Sequence, residues 1–266
     1  MRSLKIINEY GQSIELTGKV LINGIEGLGI TRENEYLAFR DRYSLARISH
    51  GLGDITLGLV FLEGYSGYKD FVLFISRAMK LFLEYKTNET YLSKIAFKEI
   101  TKGEISFGSL QSNLTIVKLS PWYRSSEFAL EVSTTESDKE FPYVYHYTYG
   151  ANANGSMQIT NSGDSDAYLS LKIIGRMKNP YVIINKNGET IGTFRLFYEG
   201  EDIVSMSSVP EDEYIKVADV NAYQLQDFTC KNFLTIPQGE SEIVFYPGTS
   251  DPATCYLKIE ESFEGV

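Results

Sequence analysis

The stretch SGYKDFVLFISRAMKLFLEY, residues 66–85, holds the clearest helical pattern of the chain and the place where that pattern ends. Its apolar residues recur at intervals of three and four, which is typical of an amphipathic helix. Beyond Leu83 the interval changes to two, which is typical of a strand. We therefore predict one prominent helix whose apolar face carries Tyr68, Phe71, Val72, Ile75, Met79 and Phe82.

The predicted helix is apolar on two sides, because Phe74, Ala78 and Leu81 form a second, smaller stripe. Ser66 is the expected N-cap, and Asp70 follows near the positive end of the helix dipole. Such a helix lies between its own sheet and another element or subunit, or else it is wholly internal to the core.

Short alternating segments surround this helix in the first half of the chain. A hairpin is predicted over Leu4–Leu16, and four strands are predicted after the helix, around Leu83, Ile95, Ile105 and Leu114. Pro121 ends this run. Residues 1–130 are therefore predicted to form an α+β domain.

The second half, residues 131–266, shows strand signals every 8–14 residues and no helical pattern. Turn residues such as Asn187-Gly188 and Pro237-Gln238-Gly239 separate the strands. Regular short strands with such turns are typical of an antiparallel β-sandwich. The fold class is therefore predicted to be mainly β.

Charge is divided unevenly along the 266 residues, whose formal net charge is −10. Residues 1–130 carry 16 basic and 14 acidic residues, whereas residues 131–266 carry 9 and 21. This balance argues against a sequence-specific DNA-binding protein and indicates an acidic, solvent-exposed second domain. No apolar run approaches the 18 residues of a transmembrane helix, and residues 1–8 do not resemble a signal peptide.

Residues 32–47 are charged and partly alternating, with few positions that would form a closed core face. Two interpretations remain open: an extended arm that reaches a neighbouring chain, and a solvated edge hairpin. The candidate arm residues are Tyr36, Phe39, Arg40, Arg42 and Tyr43.

Catalytic and phosphate-binding motifs are not found in the sequence. His50 and His146 are predicted to be turn or strand residues rather than bases. Asp164 and Asp166 lie in a short acidic loop that is more typical of an Asx turn than of a calcium site. We therefore predict no enzymatic activity, cofactor or metal.

The two cysteines, Cys230 and Cys255, do not form a Cys-x-x-Cys pair. Reduced thiols are the default expectation, and a disulfide between them stays open.

Tyrosines alternate at Tyr143, Tyr145, Tyr147 and Tyr149, so one face of this stretch would be almost entirely tyrosine. We interpret Tyr143, Tyr145 and Tyr147 as a partner surface first and a glycan surface second.

The order of these features resembles a known family. The predicted helix is followed by Leu83-x-Tyr85, Ile95-x-Phe97-Lys98-Glu99-Ile100, Leu110, Leu114-Thr115-Ile116 and Pro121-Trp122, as in the ring-forming domain of distal tail proteins of long-tailed phages. The second half looks like that family's galectin-like sandwich, through Ile159-Thr160-Asn161-x-Gly163-Asp164, Leu171-x-Ile173-x-Gly175, Asn179-Pro180 and Ile236-Pro237-x-Gly239.

The resemblance implies a structural virion protein at the phage tail tip, made in the cytoplasm of the bacterial host. Such proteins form a hexameric ring that joins the tail tube to tip or baseplate proteins and leaves a channel for DNA. The resemblance also implies that residues 32–47 form the inter-subunit arm, and that the last strand can return to the first domain. By the same resemblance Phe71, Ile75, Met79 and Phe82 belong to a helix that supports the ring, and the sandwich can carry receptor-binding proteins.

Two other functions are kept as alternatives. A carbohydrate-binding module would recognise cell-wall glycans through tyrosines such as Tyr143, Tyr147 and Tyr198. The short loops leave no room for the inserted carbohydrate-binding module that some family members carry. A hydrolase is the least favoured alternative.

Overall fold

The computed structural model describes residues 2–132 and 154–266, and the chain divides into two compact units. Unit 1 comprises Met1–Arg124 and Phe263–Val266, and unit 2 comprises Ser125–Ser262. Both units are built from antiparallel strands, so the predicted mainly β fold class is confirmed.

The elements that begin in unit 1 are eleven strands and one helix within the described residues. They are β1 (Ser3–Asn8), β2 (Ser13–Glu15), β3 (Val20–Glu26), β4 (Arg32–Phe39), β5 (Arg42–His50), β6 (Gly53–Phe61), α1 (Gly64–Arg77), β7 (Leu81–Lys86), β8 (Thr90–Ile100), β9 (Ile105–Ser106), β10 (Ser109–Lys118) and β11 (Trp122–Val132).

The unit 1 sheet runs in the order β2-β1-β7-β8-β10-β6-β3, and β9 is added to β10. The long strand β8 makes this possible, because its first half pairs with β7 and its second half pairs with β10. Alternate residues along each strand point into one core, such as Leu4 and Ile6 of β1 and Leu57 and Leu59 of β6.

Helix α1 packs on this core through Phe71 and Ile75, which are both buried. The ring of Phe61 meets the rings of Tyr68 and Phe71 edge-on, with centroids 5.6 and 5.4 Å apart. Burial of a side chain of this size stabilises the fold by about 1.5–3 kcal/mol. The predicted helix is therefore present, and its apolar face covers the sheet.

The helix is shorter than predicted, and the prediction that Met79 and Phe82 belong to it is wrong. Helix α1 ends at Arg77 because Ala78 takes an extended conformation, with φ −76° and ψ 132°. The backbone N–H groups of Met79 and Lys80 instead donate to the carboxylate of Glu9, at 3.0 and 3.3 Å. Met79 is 91% exposed.

Phe82 lies in strand β7, half-buried, where it is paired with Ile7 of β1 and Lys94 of β8. The predicted N-cap is also wrong. The residue that precedes the helix is Glu63, which makes no capping hydrogen bond through its side chain. Ser66 lies inside the first turn.

Unit 2 contains twelve further strands and a short 3-10 helix within the described residues. They are β12 (Gly155–Asn161), β13 (Ala167–Gly175), β14 (Met177–Lys178), β15 (Tyr181–Lys186), β16 (Glu189–Arg195), β17 (Glu199–Gly200), β18 (Val204–Ser207), β19 (Tyr214–Val217), β20 (Val220–Asn221), the 3-10 helix Tyr223–Leu225, β21 (Thr235–Ile236), β22 (Gly239–Tyr246) and β23 (Ala253–Phe263).

Two sheets form the sandwich of unit 2. The first has the order β11-β23-β13-β18-β19-β20, with β21 added to β13, and the second has the order β12-β22-β15-β16. Inward residues of both sheets share one buried cluster, which includes Leu171, Ile184, Phe194, Phe245 and Leu257. Because one face of each sheet is buried, the strands alternate between apolar and polar residues, as the sequence predicts.

The two cysteines are not joined. Cys230 is half-buried and Cys255 is fully buried, and both are free thiols. Burial raises the pKa of the Cys255 thiol, so it stays protonated and inert.

Candidate interaction surfaces

Strands β4 and β5 form a hairpin, residues 32–50, that we call the arm hairpin. It is a two-stranded sheet of its own, and it pairs with no other described strand. All residues of β4 are exposed. A two-stranded hairpin without a covered face is marginally stable in water. Its exposed apolar residues therefore indicate a surface that binds another molecule.

Cross-strand pairing assigns the arm residues to faces, because directly opposed residues point to the same side. Tyr36 is opposite Leu45, Tyr43 is opposite Ala38, and Ile48 is opposite Asn34. We call the surface made by Tyr36, Tyr43, Leu45 and Ile48 the apolar arm face. Its two tyrosines are 60% and 76% exposed, respectively.

The other predicted arm residues lie away from this face. Phe39 and Arg42 are opposed to each other on the second face, together with Leu37. Arg40 lies in the two-residue turn with φ 57°, a left-handed conformation that long side chains rarely adopt. The prediction therefore grouped residues that the structure divides between two faces and a tip, and it missed Leu45 and Ile48. The alternation of Leu45 with Tyr43 was a signal for Leu45, whereas Ile48 reaches the same face only through the register shift between Glu35 and Tyr36.

Hydrogen bonds from unit 1 side chains fix the base of the arm hairpin, whereas the residues of β4 are exposed. The indole N–H of Trp122 donates to the Leu28 carbonyl at 3.1 Å, and Lys118 Nζ donates to the Gly29 carbonyl at 2.9 Å. Burial lowers the pKa of Lys118 below the ordinary lysine value. Gly27 fits here because its φ is +85° and an added Cβ would lie 2.0 Å from the Asp54 carbonyl oxygen.

An ion pair closes the start of β4. Arg32 donates to Glu264 at 2.6 Å, and the N–H of Gly51 donates to the Thr31 carbonyl at 2.9 Å. Both strands of the arm hairpin therefore start side by side from a fixed base within unit 1.

The predicted helix residues divide by position. Phe71 and Ile75 face the core of unit 1 and contribute to its stability. Their assignment to a ring-supporting helix stays a prediction. The exposed part of α1 presents Leu73 and lies beside the β1–β2 turn, where Tyr10 is 76% exposed.

The predicted tyrosine surface, Tyr143, Tyr145 and Tyr147, lies outside the described residues, as does His146. Tyr198 lies within them and is half-buried against the unit 2 core. Its hydroxyl donates to Asp202 at 2.8 Å and accepts from the Asp202 N–H at 3.1 Å. Burial, followed by the bond to Asp202, raises the pKa of Tyr198. This tyrosine is therefore engaged within its own fold.

A groove of about 390 Å³ lies on the outer face of the first sheet of unit 2. Its lining includes Phe128, Lys172, Tyr214, Tyr256 and Lys258. Tyr256 is about half exposed and is paired with Lys172 across β13 and β23. Aromatic rings beside amines and hydroxyls are the groups with which proteins stack on and hydrogen-bond to sugars.

Chemical sites are not apparent in the parts of the chain that the structure describes. Over residues 2–132 and 154–266, no three histidine, cysteine, aspartate or glutamate side chains are placed to hold a metal ion. Within the same ranges, no helix has both the length and the apolar character needed to cross a membrane.

Residues 3–119 match the family model of the N-terminal domain of distal tail proteins. Over these residues the resemblance predicted from the sequence is therefore confirmed. No curated protein matches the chain.

Solved structures are similar to the chain over its whole length. A chain of the phage P2 baseplate, in its activated conformation with Ca, is 17% identical with a TM-score of 0.67, and the match covers 100% of both chains. The Dit protein of SPP1, described as a paradigm of the hub adsorption apparatus in phages that infect Gram-positive hosts, is 10% identical. Its TM-score is 0.67 over 97% of this chain and 98% of that chain. At these identities the likeness shows the shared fold.

Proposed function

We propose that this chain, whose first unit carries a distal tail protein N-terminal domain, is a structural subunit of the tail tip of a long-tailed phage. The observation that carries the proposal is the family match over residues 3–119, together with a fold shared with baseplate and hub proteins along the whole chain. The proposed location is therefore the virion, after synthesis in the bacterial cytoplasm, and the proposed role is assembly rather than catalysis.

The finer part of the proposal is a hexameric ring that joins the tail tube to tip or hub proteins and leaves a channel for DNA. The nearly balanced charge of residues 1–130 suits a channel lining that does not hold phosphate tightly. The acidic second half suits an outward position, where a receptor-binding protein would attach. We assign the contact with the neighbouring subunit to the apolar arm face, because its four side chains are exposed in the single chain.

Light scattering behind size exclusion tests this proposal. Six subunits of 30.1 kDa give a particle of about 180 kDa. The double variant Tyr36→Ser/Tyr43→Ser should reduce the particle to smaller species, since it removes the two aromatic rings from the apolar arm face. The matched control, Ser44→Ala/Ser49→Ala, changes residues paired on the other face and should assemble normally. Equal masses for both variants would contradict the role of the apolar arm face.

A second candidate function is recognition of host glycans by the unit 2 groove, which its aromatic and amine lining favours. Binding of the purified protein to host cell walls tests it. Tyr256→Ala should abolish that binding, whereas Tyr10→Ala, which changes a more exposed tyrosine of unit 1, should leave it unchanged. Absence of wild-type binding to host cell walls would eliminate this function.

A further inference from the structure

The two-residue turn between β9 and β10 carries an aromatic side chain in an unusual position. Phe107 and Gly108 have φ values of 50° and 82°, so both central residues of the turn are left-handed. Phe107 is fully exposed to solvent. Hairpin turns of this type strongly favour asparagine, aspartate or glycine at the first central position.

Phenylalanine is unfavourable here for two independent reasons. A left-handed backbone crowds its Cβ atom, and full exposure leaves a large apolar ring in water. Among residues 2–132 and 154–266 no contact offsets either cost, since none of them covers the ring. The residue is therefore best explained by burial against another molecule.

Other exposed groups surround this ring. Ile105 is exposed and lies close to the start of α1, where a Cβ added at Gly64 would be 3.2 Å from its Cδ1 atom. Tyr65 is also exposed, donates its hydroxyl hydrogen to Glu104 at 2.9 Å, and lies under the Lys102 amine at 4.7 Å. We call Tyr65, Ile105 and Phe107 the Phe107 knob; Lys102 and Glu104 form its charged rim.

A groove of about 340 Å³ lies along the later turns of the same helix. Its apolar lining comes from Leu73, Phe74 and Ala78 of the helix segment and from Tyr10 of the β1–β2 turn. Asp70 and Arg77 stand at its edge. We call this feature the α1 groove.

The walls of the α1 groove are fixed by hydrogen bonds. Asn8 accepts the backbone N–H groups of Tyr10 and Gln12, which shapes the turn. Glu9 accepts the N–H groups of Met79 and Lys80, which ties the turn to the end of the helix. A preformed apolar groove can bind a side chain without the entropic cost of ordering its own walls.

The Phe107 knob and the α1 groove lie toward opposite ends of one helix. Helix α1 rises about 1.5 Å per residue, so along its axis the groove begins about 9 Å from Gly64, at Asp70, and extends to about 20 Å, at Arg77. Phe107 is fully exposed and does not line the groove of its own chain. The rims are also complementary, since each carries one cation and one anion: Lys102 and Glu104 on the knob, and Asp70 and Arg77 on the groove.

We propose that the Phe107 knob of one copy inserts into the α1 groove of the next copy. Two different surfaces of one subunit that fit each other produce a head-to-tail contact, and such contacts form a ring when the rotation between successive copies closes. The inference rests on the proposed ring function and states which surfaces of unit 1 meet, in addition to the arm hairpin.

Cysteine cross-linking tests the contact in the full chain. In a Cys230→Ser background, Phe107→Cys and Leu73→Cys are made as separate proteins, mixed and oxidised. The buried Cys255 stays unreactive. A 107–73 cross-linked dimer is expected in the mixture, and neither protein alone should give it. Val220→Cys, at an exposed position of unit 2, replaces Leu73→Cys in the matched control and should not cross-link.

A second variant, Phe107→Gly, separates docking from folding. Glycine suits the left-handed conformation, so the melting temperature should not fall. The association constant between subunits should decrease by about tenfold or more.

The outcomes distinguish this inference from the proposed function. A particle of about 180 kDa that shows no 107–73 cross-link and is unaffected by Phe107→Gly would overturn the contact and leave the ring intact. The Phe107→Gly variant could also form a particle of normal mass that no longer binds the tail tube. This result would assign the Phe107 knob to a different partner and would also overturn the proposed contact between copies. A protein that stays monomeric and uncross-linked at every concentration would contradict both proposals.

Discussion

Two hairpins of similar length show opposite use of their apolar residues. The hairpin β15–β16 places Val182, Ile184 and Phe194 in the core of unit 2, and Val182 is paired directly with Phe194. The arm hairpin has comparable pairs, such as Tyr36 with Leu45, and none of its β4 residues is buried. The same alternating pattern stabilises the fold in one case and leaves a surface to be covered in the other.

The contrast shows that apolar content alone does not define a core. Side chains contribute stability only when they leave water, and the arm hairpin achieves this only against a second molecule. The arm hairpin therefore contributes little to the free energy of unfolding of the single chain.

The largest difference is expected between substitutions on the two hairpins. Phe194→Ala should lower the free energy of unfolding of unit 2 by about 3–5 kcal/mol, since it removes a fully buried ring and leaves a cavity. Tyr43→Ala in the arm hairpin should change stability by less than about 0.5 kcal/mol. Chemical denaturation followed by circular dichroism measures both. Similar losses at the two positions would mean that the arm hairpin is covered within the single chain.

The base of the arm hairpin should behave like the core rather than like the arm. Trp122→Phe should destabilise unit 1 by about 1–3 kcal/mol, because the partly buried Leu28 carbonyl loses its donor and the fully buried indole is replaced by a smaller ring. Circular dichroism is the appropriate probe, because Trp122 is the only tryptophan and the variant therefore has no tryptophan fluorescence to follow. Wild-type stability in this variant would show that the anchor at Leu28 is dispensable.

A smaller effect, visible through pH, is expected at the end of β16. The hydroxyl and N–H of Thr229 donate to Asp227 and lower its pKa, and Arg195 adds to this effect. A carboxyl whose pKa is lower in the folded state stabilises the fold above its unfolded pKa of about 3.9. That stability is lost as pH falls through the folded value.

Unfolding of the wild type and of Asp227→Asn, measured from neutral to strongly acidic pH, tests this. The wild type should be the more stable protein at neutral pH, and the difference should shrink below about pH 4. A difference that is constant with pH would show that the carboxylate charge has no role in holding the end of this hairpin.

The smallest effect is expected at the ion pair that closes the arm base. Arg32→Gln should cost less than about 1 kcal/mol, because both partners are partly exposed. The loss should be smaller still at high salt, which screens the wild-type pair. Thermal unfolding at low and high ionic strength gives the comparison. A larger, salt-independent loss would indicate that the pair orders the arm base by packing rather than by charge.

Much of the fold was predictable, because local pattern and tertiary structure agree along most strands. Ala167–Ile173 alternates in the sequence and forms a strand that alternates in burial, and the apolar run Tyr181–Ile184 likewise forms a strand. The family resemblance was likewise readable from the order of such segments, and residues 3–119 bear it out.

The end of helix α1 was not predictable from local pattern. Met79 and Phe82 continue the helical spacing, while Leu81 and Leu83 already fit a strand. The carboxylate of Glu9, about 70 positions earlier, accepts the backbone N–H groups of Met79 and Lys80. In a longer helix these groups would donate to helix carbonyls instead. Only a contact of long sequence separation resolves such an ambiguity.

The candidate interaction surfaces were only partly predictable for the same reason. The sequence locates an arm near residues 32–47 but does not divide Tyr36 and Phe39 between two faces, since that follows from the register with β5. Phe107 gives no local signal at all, because phenylalanine is a residue that a left-handed turn normally excludes.

The division of the chain has a consequence for the order of events during synthesis. Phe263 and Glu264 belong to unit 1, yet the ribosome makes them after all of unit 2. The ring of Phe263 packs edge-on against the ring of Tyr91, with centroids 5.2 Å apart. This contact within unit 1 can therefore form only after all of unit 2 has been made. Unit 2 is an uninterrupted segment, so it can fold as a unit once its own residues have emerged, without waiting for a later part of the chain. Phe263 and Glu264, once made, complete unit 1 and the ion pair at the base of the arm hairpin.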